Sequence, residues 1–128
     1  MLFNFINNEI EYFNSTGNSV KKIPTLFHTK WYFDAHGKKA YILDKNRFLQ
    51  QILVDKQTNK VYTIWKELIS NDFYLREINM ETGDIVRKID IPNHSSISNI
   101  TVYSDVIFFL DKDNSFSKST GLYYFSIN

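Results

Sequence analysis

The sequence predicts an all-β protein made of antiparallel hairpin repeats, and three observations carry that expectation. Aromatic residues are 16% of the 128 residues (11 Phe, 8 Tyr, 2 Trp), whereas Ala occurs only at Ala35 and Ala40. Ala is the best helix former and aromatic side chains suit the pleated surface of a sheet, so the composition leans to β. Short apolar runs alternate with turn chemistry, and no 3.6-residue period is sustained. Finally, the chain repeats itself. "YFNSTGNSVKKI" (12–23) returns as "INMETGDIVRKI" (78–89), with Thr16-Gly17 over Thr82-Gly83, Val20 over Val86, Lys21-Lys22 over Arg87-Lys88 and Ile23 over Ile89.

Taken in order, the links between strands are "DAHGKK" (34–39), "DKQTNK" (55–60), "METGD" (80–84) and "YSD" (103–105). Gly and Asn in them tolerate positive φ, while Asp, Ser and Thr bond back to nearby backbone. The one helix candidate, "KNRFLQQILVDK" (45–56), places Ile52, Leu53 and Val54 in succession and ends in a turn, so it reads as a strand. In "DIVRKIDI" (84–91), Ile85, Ile89 and Ile91 are expected on one face, with Lys88 and Asp90 on the other. "AYIL" (40–43), "VIFFL" (106–110) and "LYYF" (122–125) are apolar on both faces, which predicts strands covered on each side.

The repeats also set a pitch. "YFDAHGKKAYILDK" (32–45) aligns with "LVDKQTNKVYTIWK" (53–66) at an offset of 21, matching Asp34 to Asp55 and Tyr41 to Tyr62. The opening repeat has an offset of 66, and "VYTIWK" (61–66) is echoed by "IFFLDK" (107–112) at 46. A hairpin therefore recurs about every 22 residues, and two hairpins make the ~44 residues of a four-stranded propeller blade. Inner strands that are apolar on both faces, mixed with alternating outer strands, fit sheets stacked radially better than a barrel with one wet face. The expected architecture is about three blades of an incomplete β-propeller.

The residues "LVDKQTNKVYTIWK", "FYLREINMETGDIVRKIDIP", "ITVYSDVIFFLDK" and "GLYYFSIN" resemble the closing blades of six-bladed β-propellers of the NHL-like or TolB-like kind, and a bacterial group of secreted propellers more closely. The resemblance covers roughly residues 30–128, with "EYFNSTGNSVKKIPTLFH" (11–28) as the connection leading in. It implies a fold, binding or scaffolding roles, and a periplasmic or extracellular location. No family-wide catalytic residues come with it.

Length departs from that pattern. Propellers have ~4 to 8 blades, and this chain supplies about three, so residues 1–128 are expected to form a single all-β domain or a fragment of a longer propeller. Counting strands back, the last blade has three strands, and "LFNF" (2–5) is left over as a candidate for its fourth. Open flanks of Phe, Tyr and Ile call for cover. The expected partners are another copy in a homodimer or the missing blades of the same protein, with a protein or glycan ligand at the rim.

Few chemistries survive inspection. Fifteen Lys and Arg against fourteen Asp and Glu give a net charge of +1, which lacks the surplus that nucleic-acid or anionic-membrane binding draws on. Cysteine is absent. Asn4, Asn7, Asn8 and Glu9 interrupt the N-terminal apolar residues, so they do not read as a signal peptide, and no run reaches the ~18 apolar residues of a membrane span. His28, His36 and His94 lack metal-site spacing. "DKDNSFSKSTG" (111–121) opens like a calcium loop at Asp111, Asp113 and Ser115, then places Phe116 and Leu122 where Gly and Glu are required. Asp34, Asp55 and Asp111 recur with the repeat, which points to turn-capping rather than catalysis. No G-x-S-x-G, P-loop or G-x-G-x-x-G occurs, and the triplets at Asn14, Asn93 and Asn99 are expected by chance in an Asn-rich chain. Trp31 and Trp65 with Tyr41 and Tyr62 form a conceivable sugar-stacking surface, but packing between sheets is the stronger expectation.

The functional expectation is a non-catalytic binding or scaffolding module, not an enzyme, with no cofactor, no metal and no nucleic acid or membrane span. The alternative is a lipocalin-like β-barrel that holds a small apolar ligand.

Overall fold

The turns expected from the sequence delimit ten strands in the computed structural model, which describes residues 1–5, 7–25, 36, 46–67, 69–94, 96–112 and 120–127. They are β1 (Leu2–Asn4), β2 (Glu9–Phe13), β3 (Ser19–Pro24), β4 (Asn46–Asp55), β5 (Lys60–Glu67), β6 (Phe73–Ile78), β7 (Ile85–Ile91), β8 (Ile97–Tyr103), β9 (Val106–Asp111) and β10 (Gly121–Ser126). No helix occurs among the described residues, and the 45–56 stretch is strand, as its apolar triplet predicts. Apart from residue 36, the 32–45 hairpin, with Asp34 and Tyr41, lies outside the described residues, as do His28, Trp31 and the 113–119 part of the calcium-like loop.

The strands form three antiparallel sheets in chain order: β1-β2-β3, β4-β5-β6-β7 and β8-β9-β10. Each is a meander of sequential neighbours, the arrangement that short turns enforce. Chain repetition now has a structural meaning. The two Thr-Gly segments are the β2–β3 and β6–β7 turns, the last hairpin of the first sheet and the last of the second. In one, the Asn14 carbonyl accepts the Gly17 N–H at 3.1 Å, and Asn14 Oδ1 accepts the N–H groups of Thr16 and Asn18. In the other, the Asn79 carbonyl accepts the Gly83 N–H at 2.8 Å, and Asn79 Oδ1 accepts those of Glu81 and Thr82. Both glycines sit at positive φ, +82° and +80°. Asn supplies the left-handed backbone elsewhere, at Asn8, Asn59, Asn71, Asn93 and Asn99, because its short polar side chain tolerates that region.

Alternation along the strands decides how the sheets stack. One face of the second sheet presents Leu53, Tyr62, Ile64, Phe73, Leu75 and Ile91 to Ile100, Val102, Ile107 and Phe109 of the third sheet. Its opposite face presents Ile78, with Ile52 beside it, to Ile10 and Ile23 of the first. β5 and β6 are therefore covered on both sides, and Ile64, Trp65, Tyr74 and Leu75 are each no more than 1% exposed. Full burial of a side chain of this size stabilises by ~1.5–3 kcal/mol. β4 and β8, the first strands of their sheets, lie against each other.

Four expectations need correction. "LFNF" does not complete the last sheet; β1 pairs with β2, Phe3 opposite Ile10. The 11–28 stretch is not a mere connection, because it supplies most of β2 and all of β3. Ile85 does not share a face with Ile89 and Ile91. A bulge pairs Glu77 with Arg87 but Ile78 with Ile85, and an extra residue turns a side chain to the other face. Lastly, "VIFFL" and "LYYF" are not covered on both sides. Ile107 and Phe109 are buried, yet Leu122 and Tyr124 are 70% and 74% exposed, because the third sheet ends the described stack.

Candidate functional site

Four places concentrate polar or exposed groups, and their geometry separates structural duty from binding. The first is the junction at Asp55. Tyr103 pairs with Val106, and the two residues between, Ser104 and Asp105, both have positive φ, the conformation of a type I′ hairpin turn. Asp55, at the end of β4, accepts the N–H groups of Ser104 (3.1 Å), Asp105 (2.8 Å) and its own neighbour Gln57 (3.0 Å). Burial alone would raise its pKa, but the N–H groups of Asp105, Ser104 and Gln57 outweigh it and hold the carboxyl at about 2. Lys60 Nζ lies 2.7 Å from Asp105 Oδ1, and the Asp105 carbonyl accepts the Ile127 N–H. With both oxygens engaged in joining two sheets, this carboxylate is a latch as well as the turn cap expected from its place in the repeat.

The second is His94 with Asp111. The His94 Nδ1 is paired with Asp111 Oδ2, and the ring meets Phe109 and Tyr123 edge-on at 4.8 and 4.6 Å between centroids. A carboxylate on Nδ1 also orients the imidazole of hydrolytic triads, but that chemistry needs a nucleophile on the other nitrogen. Among the described residues, no hydroxyl is hydrogen-bonded to it. The sequence gives no signal for this pair: the residues are 17 apart and belong to different local patterns. Asp111 is thereby a histidine partner at the end of β9.

The third is an open cleft of about 300 Å³ lined by Glu67, Asp72, Tyr74, Lys88 and Asp90 among others. Lys88 Nζ reaches Asp90 at 2.9 Å and Glu67 at 3.2 Å, and it sits 4.3 Å from the centre of the Tyr74 ring. Asp90 first, with Glu67, raises the Lys88 pKa against the opposing effect of burial. Its charge is thus neutralised by neighbours, leaving little for an anionic ligand. No group of three or more His, Asp or Glu among the described residues is arranged to hold a metal ion.

The sugar-stacking surface does not form at the described residues. Trp65 and Tyr62 are 1% and 0% exposed and point to opposite faces of β5: Trp65 pairs with Tyr74, whereas Tyr62 pairs with Glu77. Trp65 instead stacks on Tyr74 with 12° between the rings, takes the Arg76 guanidinium at 4.0 Å, and donates its N–H to Thr63 Oγ1.

The fourth place is the far face of the third sheet. Register puts Tyr103, Val106, Phe108, Leu110, Leu122 and Tyr124 on it. Phe108 and Tyr124 are in ring contact at 6.2 Å, and Tyr103, Leu122 and Tyr124 are 57%, 70% and 74% exposed. The opposite end of the stack is different in kind. There the outer face of the first sheet carries Glu9 and Glu11, both 3.3 Å from Lys22 Nζ. That end combines a paired charge cluster with exposed Leu2 and Phe13, whereas the third-sheet end is apolar and open.

No protein-family profile, curated protein or solved structure matches this chain. What the fold itself defines is an all-β protein of antiparallel meander sheets. No helix among the described residues is long and apolar enough to cross a membrane.

Proposed function

We propose that this chain is a non-catalytic binding or scaffolding module, built as consecutive blades of an incomplete β-propeller and working through the open apolar face of its last sheet. Three features support the propeller reading. The sheets follow chain order, each packs on the next through side chains of alternating strands, and the first strands of the second and third sheets approach each other as inner strands do in a radial stack. The barrel alternative finds less support. It requires one ring of ladders, and the described ladders fall into three sheets.

The observation that carries the binding role is the exposure of Leu122 and Tyr124, 70% and 74%, on a face that also holds Phe108 and Leu110. Exposed apolar surface of this kind marks an interaction site. His94, Asp55 and Lys88 each have polar partners within the fold.

The test is hydroxyl-radical footprinting of the full chain across a wide concentration range and with candidate protein and glycan ligands. Tyr103, Leu122 and Tyr124 are expected to be oxidised in the dilute protein and shielded in the bound or assembled one. Equal oxidation under every condition would sink the reading.

A further inference from the structure

Among the described residues, six strands border the three sheets: β1 and β3, β4 and β7, β8 and β10. A border strand offers unpaired peptide groups to any other strand, and proteins blunt it by shortness, charge, proline or a bulge. Five of these six borders carry such a device. β1 has three residues. β3 carries Lys21, Lys22 and Pro24, and β7 carries Arg87, Lys88 and Asp90. β4 and β8 are broken by bulges, between Phe48 and Ile52 and between Ser98 and Thr101, and they lie against each other.

β10 has none. Gly121–Ser126 reads GLYYFS, without charge or proline, and it pairs with β9 in unbroken register over all six residues. Tyr123 and Phe125 hold it to the core, while Leu122 and Tyr124 project from the far side.

Building on the binding-module reading above, we propose that β10 is a self-docking edge: two copies of this chain pair their β10 strands antiparallel, about a two-fold axis normal to the sheet. Their third sheets, three strands each, then run on as one. An antiparallel pair of identical strands is self-complementary under a two-fold, the commonest symmetry of protein dimers. A neutral strand brings no like charges together when it meets itself, and it presents no counter-charge to a basic or acidic peptide. Facing residues must share a side of the sheet, so the axis passes through a residue and not between two. At Tyr123 it sets Leu122 of one copy opposite Tyr124 of the other, an aliphatic–aromatic pair of the kind that stabilises neighbouring strands.

The experiment combines light scattering with amide hydrogen exchange on the full chain at rising concentration. Dimerisation should slow alternate amides between 121 and 126 by at least about tenfold, leaving the amides of β1 and β3 unchanged. The variant L122K/Y124K should stay monomeric, with the circular dichroism of the parent and the melting temperature of the dilute, monomeric parent. Amides of β10 that exchange at one rate at every concentration would overturn the edge. If Leu122 and Tyr124 are then still shielded from oxidation, the edge inference fails and the binding face survives. If they are never shielded, both fall.

Discussion

The N–H of Asp105 donates to Asp55 Oδ2 across 2.8 Å, although fifty residues separate the two along the chain. This bond, with that of Ser104, pins a two-residue turn of the third sheet to the end of a strand in the second. Lys60 completes the junction from the neighbouring strand by pairing with Asp105. Asp55 thus joins the second and third sheets through bonds to backbone N–H groups.

Replacing it is therefore expected to be costly. Asp55→Ala leaves the Ser104 and Asp105 N–H groups without an acceptor, and the loss of hydrogen bonds to a charged group should cost about 3 kcal/mol. Urea denaturation of the variant beside the parent measures it. A change below about 0.5 kcal/mol, the range of ordinary surface substitutions, would show that the junction is held by something else.

Acid should act through the same carboxylate. Asp55 ionises at about 2 in the folded protein against an ordinary 3.8. A lowered folded value means that its contribution is present above pH ~4 and is lost as pH falls towards 2, amounting to ~2 kcal/mol. Asp55→Asn should flatten that part of the stability–pH curve. An unchanged acid limb in the variant would contradict the assignment.

Alkali offers an independent check at the sheet interface. Burial, then the negative charges of Glu77 and Asp105, push the Tyr62 phenol up to about 12. A raised folded value gives a contribution that is whole below pH ~10 and lost as pH rises through 12. Spectrophotometric titration should find a late tyrosine step near pH 12, and Tyr62→Phe should remove it.

The repeated glycines should differ in spite of nearly equal φ. A methyl group at Gly17 meets nothing within 4 Å, whereas at Gly83 it would lie 2.0 Å from the Pro24 carbonyl oxygen and 2.9 Å from the Ile23 side chain. Gly17→Ala carries only the left-handed backbone cost, ~1 kcal/mol. Gly83→Ala adds a backbone clash, and it strains the turn whose Gly83 carbonyl accepts the Thr25 hydroxyl at 2.6 Å. It should cost ~3 kcal/mol or more. Thermal melts of the two variants that coincide would refute this account of how the first and second sheets meet.

Phe109→Ala and Tyr124→Ala separate the two faces of the third sheet. Phe109 is 1% exposed among Ile107, Tyr123 and Phe125, so its truncation should cost ~3–5 kcal/mol. Tyr124→Ala, read in dilute protein, should fall within ~0.5 kcal/mol. Similar values would mean that the far face is covered.

Much of the fold was legible from local patterns. The Thr-Gly turns, the "YSD" link and the strand at 45–56 follow from residue types whose φ preferences and branching act within a few positions. The local bond of Asp55 to the Gln57 N–H is what an Asp beside a turn offers, but its bonds to Ser104 and Asp105, about fifty residues away, were not legible. The His94–Asp111 pair was not legible, and neither was the burial of Trp65 and Tyr62 on opposite faces. Those depend on which strands lie opposite, at what register, and on which sheet follows.

By itself the sequence determined an all-β chain of antiparallel hairpins, and it marked where most of the strands turn. Only the tertiary structure decided which face of each strand is covered. A single bulge reversed Ile85, and the lack of a further described sheet left Leu122 and Tyr124 open. Turn conformation is a property of neighbours in the chain, whereas burial is a property of neighbours in space, here drawn from segments forty to seventy residues away.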